Sequence, residues 1–425
     1  MKRLCLLLYS GGTSPDLLYP SLIKNQIEVV TLFMEPESES MKKIYQEWVN
    51  RFGDAIKVST NKEMINAALS YHQKKPIDGV ITFSDKLTVV AAKIAQALNL
   101  PYNSLQSVET TQNKYLQRVA LQHANIPIPK FYLIKESRDL HRAATEVGFP
   151  GVLKPVFGAG SYFVQLVSNE NELQKVYKDA LKSYKNYFKV GEYNRPEFLF
   201  EELMVGINVH NDDRYGDYGS VESLVYHGDI YHLCIQDRLP LTPPFRETGF
   251  VIPSQLTESQ QDELFSIAEQ AIQALGLTYG FTHIEIKFTK EGPKVIEVNA
   301  RPGGGFPYRL KLAAPSYDLI YEYGRLSLGE MPETKPKWEG SSGTFIIHGP
   351  NKPIIFHRLI GIDAVKDMKE LDLFIPVAKS GDLIHPVYGM QSFIGFGLVK
   401  GRDPDHIVNT LHHILQTLHI DFTDP

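Results

Sequence analysis

Two stretches of alternating residues, Thr282-His283-Ile284-Glu285-Ile286-Lys287-Phe288 and Val295-Ile296-Glu297-Val298-Asn299, flank Lys290-Glu291-Gly292. Alternation at period two puts Ile284, Ile286, Phe288, Ile296 and Val298 on one face of a β-hairpin and His283, Glu285, Lys287, Glu297 and Asn299 on the other. A three-residue loop over 290–292 with Gly292 left-handed makes Thr289 face Pro293, and Glu285 then lies directly opposite Glu297. Like charges so placed repel, and a protein that keeps them usually holds a cation between them. With the amide oxygen of Asn299 on the same face the donors are all hard oxygens. That set suits Mg²⁺ or Mn²⁺ rather than zinc and leaves positions for phosphate oxygens. The alternative is a solvated polar hairpin face, and a slip of one residue in register would remove the pair.

Three further segments could act with this hairpin. Val152-Leu153-Lys154-Pro155-Val156-Phe157-Gly158-Ala159-Gly160-Ser161 places a lysine on a β run before a glycine loop whose N–H groups can approach a phosphate, although no Gly-Lys-Ser/Thr closes it. An ordinary glycine hairpin explains this segment equally well in isolation. Phe198-Leu199-Phe200-Glu201-Glu202-Leu203-Met204-Val205-Gly206 is an apolar strand turning acidic, able to offer backbone edge groups to an adenine ring or simply to end in solvated glutamates. Ala300-Arg301-Pro302-Gly303-Gly304-Gly305-Phe306-Pro307-Tyr308-Arg309 follows the second acidic strand at once, and its glycine triplet makes most sense where backbone must approach a ligand.

The elements that position these residues follow from apolar periodicity. Strands at Arg3 to Tyr9, Glu28 to Phe33 and Gly79 to Phe83 alternate with helices at Leu17 to Lys24, Lys42 to Phe52 and Leu87 to Leu98, the pattern of an open parallel α/β sheet ending near residue 105. The Gly11-Gly12 turn lacks the G-x-G-x-x-G spacing of a dinucleotide site. Lys2-Arg3 before a short leucine run imitates a secretory signal, but the run ends too soon, and a buried first strand is expected. Hairpins dominate from residue 106, together with helices containing Lys114, over Leu140 to Val147, and from Thr257 with Gln260 in a capping box. The proline-containing stretch Met331 to Lys337 reads as a connector to a small C-terminal unit. The expected division is therefore 1–105, 106–195, 196–330 and 331–425, an α/β unit followed by α+β units.

A chain of 425 residues has room for two or three cores at about 150 residues per domain. No run approaches the roughly 20 apolar residues of a membrane span. The net charge of −5, with scattered basic residues, argues against nucleic acid or an anionic membrane as partner. Lys182, Lys185 and Lys189 among Tyr184, Tyr187 and Phe188 fit a basic surface helix better than a base-stacking platform. Two cysteines, Cys5 and Cys234, in apolar surroundings exclude a disulfide framework and suit a cytoplasmic setting.

Taken in order, Asn113-Lys114, Leu153-Lys154-Pro155 with Gly158 to Ser161, Glu201-Glu202-Leu203-Met204, and Glu285 with Glu297-Val298-Asn299-Ala300-Arg301-Pro302-Gly303-Gly304 resemble the ATP-grasp superfamily over most of residues 1–330. The last block is most similar to the branch with bacilysin-type L-amino-acid ligases and carnosine-synthase-like enzymes. The resemblance implies an α/β N-terminal domain, a two-part ATP-grasp fold and a small C-terminal domain. It implies that Lys114 and Lys154 contact ATP phosphates, that Gly158, Gly160 and Ser161 form a lid, and that the backbone of Glu201, Glu202 and Met204 receives adenine. Glu285, Glu297 and Asn299 would hold Mg²⁺ or Mn²⁺, and Arg301 would stabilise an acyl phosphate and the state after amine attack. Residues 207–218 read as an insertion, leaving the ribose to Asn208 or Glu222. Arg246 and Arg309 are candidates to clamp a substrate carboxylate. The implied reaction joins a small-molecule carboxylate and an amine, amino acids in this branch, with release of ADP and phosphate; a homodimer is allowed. A biotin-carboxylase-like enzyme and a non-catalytic ATP-binding module are the alternatives.

Overall fold

The computed structural model describes residues 2–9, 11–36, 39–51, 54–187 and 196–425. Strands Ala55–Lys57, Glu28–Phe33, Arg3–Leu8 and Gly79–Thr82 form a parallel sheet in that spatial order. Arg3–Leu8 is central and covered on both faces, which is why its apolar run is unbroken. Leu4, Leu6 and Leu8 point into one core, and Cys5 and Leu7 into another. The expected sequence elements omitted the strand Ala55–Lys57 and the helix Asn61–Lys74 that precede Gly79–Thr82.

A second, antiparallel sheet has the order Phe131–Ile134, Phe198–Glu202, Gly151–Pro155, Gln165–Val167. Eight antiparallel strands make the largest sheet: Gly292–Asn299, Tyr279–Thr289, Tyr218–Tyr226, Asp229–Arg238, Gly249–Ile252, Ser341–His348, Phe393–Gly401 and Leu371–Pro376. Leu383–Ile384, Ile354–Ile360 and His419–Thr423 form a small outer sheet.

Local signals hold at several joints. His227 and Gly228, both at positive φ, link Tyr226 to Asp229 as a tight hairpin turn requires. Thr257 and Gln260 close both halves of a capping box on the helix Glu258–Ala274, and Gly148 at φ +85° ends Asp139–Val147.

The sheets run across two expected boundaries. Phe198–Glu202 pairs with Phe131–Ile134 and Gly151–Pro155, so it belongs with the residues before 195 rather than those after. The segment after 331 is not a separate sheet either, because Ser341–His348 pairs with Gly249–Ile252 and extends the sheet that carries the acidic hairpin. Pairing partners so distant in sequence leave no local trace. The helix Glu170–Tyr187 takes in the start of the lysine and aromatic stretch, with Lys182 3.5 Å from Asp179, whereas 188–195 and Phe52 lie outside the described residues. Among the described residues no helix is long and apolar enough to cross a membrane.

Candidate active site

The acidic hairpin is built as expected at its centre and differently at its end. His283 pairs with Asn299 and Glu285 with Glu297. The loop, however, is one residue shorter, with Thr289 opposite Gly292, and that register alone would place Ile296 opposite Glu285. A β-bulge between Glu285 and Ile286 on one strand and Val295 and Glu297 on the other restores the pairing. Val295 and Val298 consequently fill the core, and Ile296 does not take the inward place expected of it.

The helix Lys114–His123 fixes that bulge. Gln117 bonds the backbone of Val298 in both directions at 2.9 Å, and Arg118 Nη2 donates to the carbonyl of Ile296 at 2.6 Å. Asn113 caps the helix by accepting from Leu116 N–H at 3.0 Å, so Lys114 leaves its first turn in a set direction. Its Nζ lies 2.8 Å from Glu297 Oε1 and 2.7 Å from the carbonyl of Gly158, bringing the glycine loop and the second acidic strand to one point.

Lys154 and Glu201 sit across the second sheet with Nζ 2.6 Å from Oε2, and Arg118 Nε holds the other oxygen at 2.6 Å. Glu201 is 3% exposed, which rules out a solvated strand end there. Burial raises its carboxyl pKa, but Arg118 and Lys154 outweigh burial and hold it below the usual range. Burial, with the charges of Arg118 and Lys114, holds the Lys154 ammonium below the usual lysine range against the opposing pull of Glu201. Glu202 and Met204 are only partly covered, and the N–H of Met204 meets no acceptor among the described residues. The glycine loop takes Gly158, Gly160 and Ser161 through positive φ.

On the same face as Glu285 lies a buried polar cluster. Glu222 contacts His283 Nδ1, accepts from Gln236 Nε2 at 2.5 Å and accepts the N–H of Gly303 at 3.0 Å. Burial would lower His283, but the charge of Glu222 and hydrogen bonds to both glutamates raise it to about 9. Glu285 is opposed by burial, yet the bond from His283 and the charges of Arg238, His283 and Arg301 bring it down to about 2. Arg238 contacts Glu247 and lies 3.7 Å from Glu285, its guanidinium 4.2 Å from the centre of the Phe250 ring, a distance that Arg309 shares.

Several expected roles change. Glu222 faces His283 and Gly303, and Asn208 binds within its own loop to Asp212 and Tyr215 carbonyls at 2.7 and 3.4 Å, so neither is presented as a ribose ligand. Arg246 is fully buried and donates through Nε and Nη1 to the carbonyls of Pro243 and Gly349, with Nη2 unpartnered among the described residues but closed off from solvent, so it is not presented as a carboxylate clamp. Arg309 bonds Gln236, Thr344 and the Gly304 carbonyl, bracing the glycine triplet. Arg301 lies against Asp85, with Nε 2.6 Å from Oδ1, at the mouth of the N-terminal sheet. Asp85 was missed, although it follows a strand of an open parallel sheet at the carboxyl end where ligands gather. His283, Arg118, Gln117 and Arg238 were also missed as partners, because their meaning depends on which strands are neighbours.

Glu285, Glu297 and Asn299 fit a hard divalent cation by donor chemistry. No group of three or more His, Cys, Asp or Glu side chains surrounds a metal position among the described residues, so a cation held there would draw part of its shell from outside the protein. The glycine after Pro302 is required by packing. A Cβ on Gly303 would lie 2.5 Å from Glu222 Oε1 and 2.7 Å from His283 Nδ1. Gly303→Ala is therefore expected to reduce stability by about 1–3 kcal/mol in urea unfolding and to reduce turnover with it.

Comparison with known proteins bears on this arrangement. An ATP-grasp domain family matches residues 147–308, and an ATP-grasp N-terminal domain family matches residues 28–102. An uncharacterised protein, y4rH, of Sinorhizobium fredii is 31% identical over 72% of this chain and 62% of its own length. The alanine–anticapsin ligase of Bacillus subtilis is 29% identical over 57% of this chain and 52% of its own. The chain thus spans only about half to three-fifths of the length of these relatives. The crystal structure of an L-amino acid ligase from Bacillus licheniformis superposes over 100% of this chain and 99% of that one with a TM-score of 0.80 at 20% identity, a likeness of fold.

Proposed function

The chain belongs to the ATP-grasp superfamily, and from that premise we propose that it is an ADP-forming carbon–nitrogen ligase that joins two amino acids or close analogues, working in the cytoplasm. The observation that carries this is the direct opposition of Glu285 and Glu297, with Lys114 on one carboxylate and His283 and Arg238 on the other. Each carboxylate has a cationic partner of its own, and the two together offer hard oxygens from facing strands to a divalent cation. When bound, Mg²⁺ would neutralise charge on the ATP phosphates and orient them.

The rest is the work of the chain. Lys114 and Lys154 supply positive charge from the helix and strand that flank the glycine loop, and the backbone around Met204 supplies the edge for adenine. A substrate carboxylate oxygen attacks the γ-phosphorus, the bond to the β–γ bridging oxygen breaks, and ADP leaves. The amine nitrogen then attacks the acyl carbon, the carbon–oxygen bond to phosphate breaks, and the amine loses a proton. Arg301, next to the glycine triplet, stabilises the oxyanion of that second step once Asp85 releases it. Glu247, held by the buried Arg238 at the far end of the polar cluster and itself 20% exposed, offers negative charge to an amino acid's ammonium.

One assay separates the readings. ADP and phosphate release is measured with ATP alone, with pooled amino acids, and with bicarbonate and free biotin. Amino-acid-dependent release is expected. Release only with bicarbonate and biotin would make the protein a carboxylase, and none under any condition would make it a binding module.

A further inference from the structure

The glycine loop that follows Lys154 does not stand alone over the acidic hairpin; it is seated on the C-terminal segment Pro386–Gln391, which lies more than two hundred residues away in sequence. Met390 N–H donates to the Gly160 carbonyl at 2.8 Å, and Phe163 N–H donates to the Val387 carbonyl at 2.8 Å. The Tyr162 and Tyr388 rings stack at 6.1 Å and 11°. Val387 packs against the core of the second sheet. Gly389, at φ +53° and ψ −130°, is where the two backbones meet: a Cβ there would lie 2.2 Å from the Gly160 oxygen and 2.7 Å from the Ser161 carbonyl carbon. No side chain fits in that space.

The receiving segment is held in shape by its own bonds. His385 N–H donates to Ser392 Oγ at 2.8 Å, Val387 N–H donates to His385 Nδ1 at 3.2 Å, and the His385 and Tyr388 rings lie 5.1 Å apart. The loop, for its part, carries Ser161 and Phe163 at positive φ, a conformation that non-glycine residues hold only when their surroundings fix it. Its other end is anchored on Lys114, which bonds the Gly158 carbonyl and Glu297 together.

We propose that Pro386–Gln391 is the receptor for the glycine loop, a positioning element that holds the loop shut over the phosphate end of the site. The C-terminal segment thereby acts in nucleotide capture without touching the nucleotide. The phosphate part of this statement rests on the ATP reading above; the docking of loop on segment does not.

Amide hydrogen exchange of the peptides covering 157–164 tests it in the full chain, alone and with Mg²⁺ and the non-hydrolysable analogue AMP-PNP. In Gly389→Ala these amides are expected to exchange about tenfold faster without nucleotide, while peptides of the acidic hairpin at 282–299 stay protected. Because Gly389→Ala could disturb the small C-terminal sheet, Tyr388→Ala, which removes only a partly exposed ring, provides a second variant, with a smaller increase in the same peptides. AMP-PNP affinity is expected to fall in both. Unchanged exchange at 157–164 in both variants would overturn the proposal. Faster exchange without any AMP-PNP binding by the wild type would uphold the docking and overturn the ATP reading instead.

Discussion

Replacing Glu297 by glutamine is expected to abolish amino-acid-dependent ADP release, a loss of at least about a thousandfold, with the fold intact. Glu297 carries the second carboxylate of the pair and meets Lys114 at 2.8 Å. Glutamine keeps the shape and can still accept from the lysine, so Lys114 is not orphaned and the thermal midpoint should move little. What disappears is the negative charge that would share a divalent cation with Glu285, and electrostatic preorganisation of that kind is the largest single contribution in phosphoryl and acyl transfer. The check is a coupled ADP assay beside Mg²⁺-dependent AMP-PNP binding by calorimetry. A variant with the wild-type rate would refute the metal assignment, because no other acidic side chain lies opposite Glu285 in the hairpin.

Arg118→Met should give the largest loss of stability, about 3–5 kcal/mol in urea unfolding. The arginine is 1% exposed and joins three pieces: the Glu201 carboxylate, the bulged Ile296 carbonyl and, through its helix, Lys114. Methionine fills the volume but leaves a buried carboxylate with Lys154 alone and a carbonyl without its donor. Nucleotide affinity should fall as well, since the bulge that sets Glu297 opposite Glu285 loses its fastening. The pH dependence follows in sign. Glu201 is held below the ordinary carboxylate range, so this stabilisation is present at neutral pH and is lost as pH falls through the acid range. Wild type should therefore lose stability toward acid more steeply than the variant. A change under about 1 kcal/mol would mean that the three-way contact does not form in solution.

The acidic hairpin shows how far alternation alone can go. Period two assigns Glu285, Glu297 and Asn299 to one face whatever the loop, and the Glu285–Glu297 pairing was expected from a loop one residue too long. The real loop is shorter and the bulge adds the missing residue, so two differences cancel at Glu285 and Glu297 but persist in every pair toward the loop, where Val295 rather than Ile296 enters the core. A bulge fastened by Arg118, 178 positions away, has no local signature. The arginines tell the same story from the other side. Arg246 and Arg309 look alike in sequence, as polar residues beside glycine or proline loops, yet carbonyls hold one and a buried network holds the other.

The sequence by itself determined the parallel N-terminal sheet, the lysine helix, the glycine loop and the face of the acidic strands, because each depends on neighbours within a few residues: apolar period, cap and turn chemistry. Only the tertiary structure decided that Glu201 is a buried anchor, that Asp85 holds Arg301, that the sheet of the acidic hairpin continues past residue 340, and that the glycine loop rests on Gly389. Those are pairings between segments far apart in the chain. They are set by which surfaces bury together and which charges are then forced to meet, and neither appears until the chain has closed on itself.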